Sequence, residues 1–224
     1  MASPRPRAVR TTSPTQLRRR PAQERARQTF ERLLDAAAAI LDEEGLPALN
    51  TNAVAARAGL TVPALYRYFP DKAAVLVALA ERYLEAERSW TTGIDRLGDA
   101  SVPLGPVVFE IVRGYARAAA AHPAIAPLRS AMRALPELAE LEERSLADSA
   151  ARLDRALAVR FPALAGAPRA AAARVVVETV CNGVDRSRGR TPADQRRRLD
   201  GLAAMVSAYL EALASSVASA RSES

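Results

Sequence analysis

An all-α fold is predicted for this chain of 224 residues by three observations. Apolar residues recur at i, i+3, i+4 and i+7 in one segment after another, the period of a helix that buries one face, and no segment sustains the alternation of a strand. Alanine and leucine are abundant while aromatic residues make up 4% of the chain, a composition that favours helices. Prolines and glycines stand between the periodic segments, where helices must stop.

The first helix is predicted from Phe30, Leu33, Leu34, Ala37, Ala38 and Leu41, which share one face. Gly45 terminates it, and Leu46 and Leu49 extend its core. Residues 50–72 then read as two short helices around a glycine turn. Either Asn50 or Thr51 can cap the first, since each side-chain oxygen can accept from the exposed amides of an opening turn. Val54, Ala55 and Ala58 form its apolar face. Gly59 falls at the sharp turn, where a positive φ costs glycine nothing, and Leu60 drops into the core. Thr61 is the expected cap of the second helix, Pro63 sits in its first turn, Leu65 and Phe69 face inward, and Pro70 ends it.

This leaves Val62, Ala64, Tyr66, Arg67 and Tyr68 facing outward, with Thr51 and Asn52 at the start of the first helix and Thr61 and Pro63 at the start of the second. A helix-turn-helix sets the opening residues of its second helix against base edges in the major groove while surrounding hydroxyls and cations hold phosphates. Asn52 can pair with adenine, and Arg67 can meet guanine or a phosphate. Val62, Pro63 and Ala64 offer only methyl contacts, so indirect readout carries much of the specificity. Asp71 is the expected cap of a fourth helix, which puts Lys72, the single lysine of the chain, beside helix N-terminal amides that already favour a phosphate. The bland reading is a helical hairpin whose tyrosines cover a surface. Against it, the run Ala-Gly-Leu-Thr-Val-Pro-Ala-Leu-Tyr-Arg-Tyr-Phe-Pro-Asp-Lys at 58–72 closely resembles the signature of the TetR family of one-component transcriptional regulators. The specific resemblance covers residues 27–84; beyond them it rests on helix order.

That resemblance implies about nine helices: an N-terminal three-helix helix-turn-helix domain followed by a helical regulatory and dimerisation domain. On it the chain divides into a basic arm (1–21), a DNA-binding domain (22–72), a connector helix (73–92), a ligand-binding and dimerisation domain (93–218) and a tail (219–224). The connector is marked by Val75, Leu76, Leu79, Ala80 and Tyr83 and runs out towards Trp90. Gly93, Gly98, Pro103, Gly105 and Pro106 punctuate the transition to a second helical region. Val107, Val108, Ile111, Val112 and Tyr115 predict a helix to about Ala121, broken by His122-Pro123, with His122 a capping group. Ile125, Leu128 and Met132 predict a short one before Pro136. Leu138, Leu141, Leu146, Leu153 and Leu157 run through a long one ending near Phe161-Pro162. Val176, Val177, Val180 and Val184 mark the next. Leu199, Leu202, Ala203, Val206, Tyr209, Leu210 and Leu213 mark the last, after which the chain should fray.

Charge is concentrated at one end. Across residues 1–28, Arg5, Arg7, Arg10, Arg18, Arg19, Arg20, Arg25 and Arg27 stand against Glu24, which accounts for the whole formal net charge of +7. The arm either lies along phosphates and enters a minor groove or is a solubilising extension. Within 50–72 the only cations are Arg57, Arg67 and Lys72.

The expected partner is double-stranded DNA carrying an operator. One helix-turn-helix buries little DNA, so two copies on two half-sites are expected, with the long helices at 169–186 and 193–215 pairing into a four-helix seam. The family resemblance further implies a repressor released from its operator by a small-molecule effector that shifts the connector helix. Pocket candidates are Trp90, Phe109, Tyr115, Met132, Glu178, Cys181, Asn182 and Asp185, although aromatic and methionine side chains at helical spacing equally mark plain core. Cys181 stands alone, so no intrachain disulfide forms and a reducing cytoplasm is the expected home. No nucleophile-base spacing, phosphate loop or metal-ligand pattern is present, and no cofactor, enzymatic activity or membrane span is expected. The competing readings are an activator of the same fold and an unspecific architectural DNA-binding protein.

Overall fold

The computed structural model describes residues 23–122 and 124–222, without side chains at 87–92, 134, 137 and 217–222. The basic arm at 1–21 lies outside the described residues, as do the last two residues and the side chains of the expected tail. The described residues form nine α-helices and one 3-10 helix, with no strand among them. In order these are α1 (Glu24–Glu43), α2 (Thr51–Arg57), α3 (Val62–Tyr66), α4 (Lys72–Trp90), the 3-10 helix (Thr91–Gly98), α5 (Leu104–Ala120), α6 (Ile125–Ala134), α7 (Pro136–Arg160), α8 (Ala167–Ser187) and α9 (Pro192–Ser222). The chain packs as two compact units, Met1–Leu79 and Ala80–Ser224, so the opening turns of α4 pack with the first unit.

The core of the first unit is built on α1. Phe30, Leu33, Leu34, Ala37 and Leu41 are buried as their spacing predicts, but Ile40 is buried while Ala38 is only half-buried. At 100° per residue the stripe drifts, and the longer side chain takes the contact. Val54, Ala55, Leu65 and Phe69 close over it, with Val75, Leu76 and Leu79 of α4. Phe30 stacks on Phe69 with ring centroids 5.0 Å apart and meets Tyr68 edge-on at 6.2 Å. Leu60 is half-buried.

In the second unit α7 packs against α6, α8 and the 3-10 helix, and α5 packs against α8 and α9. Sequence periodicity placed all of these α-helices but missed the 3-10 helix at Thr91–Gly98, which glycines and prolines disguise as loop. Side chains of α7 hold it. Arg152 pairs with Asp95 at 2.7 Å, and Arg160 donates to the carbonyls of Leu97, Asp99 and Val102 at 3.4, 2.8 and 2.7 Å. Those carbonyls lie at and beyond a helix C-terminus, where no intrahelical donor remains. On α7, Leu138, Leu153 and Leu157 are buried but Leu141 and Leu146 only half so. Helix α9 is longer than its apolar stripe indicated, because the alanine and serine beyond the stripe continue a helix readily. The His122 ring packs edge-on against Tyr83 with centroids 5.5 Å apart.

Candidate nucleic-acid interface and apolar cavity

The turn of the helix-turn-helix is a Schellman motif. Leu60 N–H donates to the Ala55 carbonyl at 2.9 Å and Gly59 N–H to the Ala56 carbonyl at 3.0 Å, with Gly59 at φ +65°. These bonds satisfy the last carbonyls of α2 and require the left-handed residue between them. Arg32 of α1 adds a third clasp, donating from Nη2 to the Ala58 carbonyl at 2.7 Å. At the other end of α2 the choice of cap falls to Asn50, whose Oδ1 accepts from Ala53 N–H at 2.9 Å. Thr51 is thereby left inside the helix.

Helix α3 is only five residues long. Thr61 occupies its cap position with extended backbone (φ −80°, ψ 151°), but the hydroxyl makes no capping bond, contrary to the sequence expectation. Nor does the α-helix reach Pro70: it ends at Tyr66, and a turn carried by Tyr68 N–H and Phe69 N–H on the Leu65 carbonyl completes the segment. The buried Leu65 and Phe69 anchor this turn from beneath.

The outward residues divide by exposure. Asn52, Thr61, Pro63, Tyr66 and Arg67 are exposed, whereas Thr51, Val62, Ala64 and Tyr68 are half-buried. The Thr51 hydroxyl and the Tyr66 phenol lie 3.4 Å apart, which brings the start of α2 and the end of α3 together as one polar edge. The three cations differ. Arg57 is paired to Glu43 and lies 3.5 Å from Glu44, and those carboxylates hold its guanidinium above its ordinary pKa. Lys72 donates from Nζ to the Leu46 carbonyl at 2.9 Å. Arg67 makes no ion pair among the described residues. Asp71 caps α4 as expected, accepting from Ala74 N–H at 2.8 Å, so the half-buried Lys72 opens a properly capped helix. Its ammonium carries three donors, and the Leu46 carbonyl takes one.

The second unit holds an apolar cavity of about 60 Å³ that is partly open to solvent. Val108, Ile111 and Val112 of α5 face Val176, Val177 and Val180 of α8 across it. Leu153 of α7, Val206 and Leu210 of α9, and Ile94 and Leu97 of the 3-10 helix close the remaining walls. Tyr115, Ser149 and Cys181 are the polar lining residues. Behind Tyr115 lies a buried polar group: Arg129, 3% exposed, donates to the Tyr115 hydroxyl at 2.8 Å and stands 3.6 Å from the Asp185 carboxylate.

Two family descriptions fit the chain in this order. Bacterial regulatory proteins of the tetR family match residues 33–79, which hold the turn, and the tetracyclin repressor-like C-terminal domain matches residues 103–210, which hold most of the cavity walls. This chain belongs to the TetR family. It is a DNA-binding transcriptional regulator with the helix-turn-helix in its first unit. Over 62 residues it is 44% identical to the HTH-type transcriptional repressor KstR of Mycolicibacterium smegmatis, a match that spans 28% of this chain and 30% of that repressor. Among solved structures, a putative TetR-family transcriptional regulator from Mesorhizobium loti shares the fold with a TM-score of 0.64 at 17% identity, over 84% of this chain and 98% of that one. The SmeT–triclosan complex does so with a TM-score of 0.57 at 23% identity, over 80% and 91%.

Of the pocket candidates with described side chains, this TetR-family chain places only Tyr115 and Cys181 on the cavity wall. Met132 is ordinary core, 1% exposed. Phe109 lies under the Arg113 guanidinium, 4.3 Å from its ring centroid. Glu178 pairs with Arg174 on the same helix, and Asn182 is exposed and donates to the Glu178 carbonyl at 2.9 Å. Asp185 sits behind the wall with Arg129. The Trp90 side chain lies outside the described residues. Sequence reasoning missed the valines of α5 and α8 as lining because an apolar stripe facing a void and one facing side chains are written alike. No described helix is long and apolar enough to cross a membrane.

Proposed function

We propose that this regulator is a homodimeric repressor that leaves its operator when a small molecule enters the cavity of the second unit. The observation that carries the proposal is the cavity itself. An apolar pocket walled by four helices and a 3-10 helix is a binding-site geometry, and it sits in the same chain as a helix-turn-helix. Helix α4 is continuous from Lys72, at the DNA-reading segment, to Trp90 in the second unit. A two-state coupling through such a helix needs an effector that favours the low-affinity state, typically by about 1–3 kcal/mol. The repressor name of the KstR relative and the triclosan held by SmeT are consistent with both halves of the scheme.

The dimer is supported by an apolar groove on α8 and α9. Val175, Met205 and Tyr209 are 49%, 53% and 40% exposed and line it together with Val176, Thr179 and Val206. A second copy meeting the groove with the same residues would bury them in a two-fold seam. It would also present two recognition segments to half-sites about 34–36 Å apart. In the DNA contact, Asn52, Thr61, Val62, Pro63 and Ala64 serve the base edges, and Thr51, Tyr66, Arg67, Tyr68 and Lys72 serve the phosphates.

The test is a genomic footprint of the purified protein, repeated with candidate effectors. A palindromic protected site, lost on adding one effector, is the expected result. Protection that ignores sequence and vanishes with modest salt would instead make this an unspecific DNA coat.

A further inference from the structure

Among the described residues, no charged side chain lines the cavity. Eleven of these lining residues are aliphatic, and the remainder carry a phenol, a hydroxyl and a thiol. Behind Tyr115 the Arg129 guanidinium lies 3.6 Å from the Asp185 carboxylate, so those two charges face each other. An ionised ligand would therefore surrender its hydration without meeting an opposite charge, and a buried ion without a partner is strongly disfavoured. An uncharged ligand loses nothing of the kind and gains the burial of its hydrocarbon.

Resting on the ligand-responsive reading above, we propose that the effector is an uncharged, hydrocarbon-rich molecule with at most one hydroxyl or carbonyl. Carboxylates and ammonium compounds of the same carbon skeleton are excluded. The small volume, about 60 Å³, means that side chains of α5 and α8 move aside to admit it. Valines do so cheaply only for a compact or slender ligand, because each has a single strongly preferred rotamer on a helix.

Cys181 makes the proposal testable in the full-length protein, since it is the single cysteine of the chain and lies on the cavity wall. The alkylation rate of Cys181 by N-ethylmaleimide is measured in the presence of 1-octanol, octanoate or octylammonium. The expected result is saturable protection by 1-octanol, with the two ions weaker by roughly 100-fold or more. Val180→Phe, which fills the void from α8, should abolish protection without lowering the melting temperature. Ser149→Leu, which fills it from α7, serves the same end if the first variant does not fold. The proposal is overturned if 1-octanol gives no protection up to its solubility limit, if either ion protects equally well, or if protection survives both fillings. Operator release is followed on the same samples. Protection without release refutes the ligand-responsive reading and leaves the ligand class standing, whereas release without protection places the effector elsewhere and overturns the ligand class.

Discussion

Replacing Gly59 isolates the cost of backbone geometry at the turn. A Cβ built on Gly59 has as its nearest neighbour the Arg32 Nη2, at 3.5 Å, an ordinary van der Waals contact. Sterics with the surroundings therefore add nothing, and the penalty is that of an L-residue at φ +65°. For alanine this is about 1–2 kcal/mol. Asparagine, which visits the left-handed region more readily, should cost less, and valine more, because a β-branched residue at positive φ is a true outlier. For a unit of this size 1 kcal/mol corresponds to about 4–8 °C in melting temperature, so Gly59→Ala should lower it by roughly 4–16 °C. The assay is thermal unfolding followed by far-ultraviolet circular dichroism, with operator binding measured well below the transition. Binding there should be retained, since the perturbed residue lies at the turn. An alanine variant that melts with the parent protein, or an asparagine variant no better than valine, would refute the assignment of the penalty to this turn.

Other substitutions probe the interface, the seam and the pH response. Arg67→Ala should weaken operator binding across sequences, reduce the salt slope by about 1 and leave stability unchanged, since Arg67 is exposed and makes no ion pair among the described residues. Lys72→Ala should weaken binding similarly but also lower the melting temperature, because it abandons the Leu46 carbonyl; normal DNA binding by this variant would remove Lys72 from the phosphate contacts. Met205→Glu, which places a charge in the apolar groove of α8 and α9, should shift the protein from dimer to monomer in sedimentation, and an unchanged mass would place the seam elsewhere. For His122, burial and the nearby Arg82 hold the imidazole below its ordinary pKa of 6.5, so the folded state favours the neutral ring. The unfolded chain then takes up the proton first, and stability should fall as pH drops below 6.5 towards the folded-state value. His122→Gln should flatten that fall between pH 7 and about 5. The depressed carboxylates Asp95, Asp99 and Glu143 add their own losses only at lower pH, as they protonate.

Much of the first unit was legible because its signals are local. Asn50, Gly59, Pro63 and Asp71 act on amides and carbonyls within a few residues of themselves, so spacing alone locates the helices and the turn. What the spacing missed there are bonds between segments far apart in the chain. Lys72 meeting the Leu46 carbonyl, Arg32 meeting the Ala58 carbonyl and Arg57 meeting Glu43 all join groups 14 to 26 positions apart. These bonds also change the reading of the interface, since two of its three cations already serve protein groups. In the second unit the pocket candidates chosen for size or polarity mostly went elsewhere, Met132 to core and Glu178 and Asn182 to polar contacts along α8.

By itself, then, the amino-acid order determined that the chain is helical, where its helices break, and that residues 58–72 form the reading head of a TetR-family regulator. Helical periodicity and turn chemistry are properties of neighbouring residues and survive in any one-dimensional reading. Only the tertiary structure decided which apolar stripes leave a void between them, that no charged side chain among the described residues lines it, and which cations remain available for DNA. A void is the absence of a neighbour, and compensation of a charge is the presence of one; both depend on segments brought together from far along the chain.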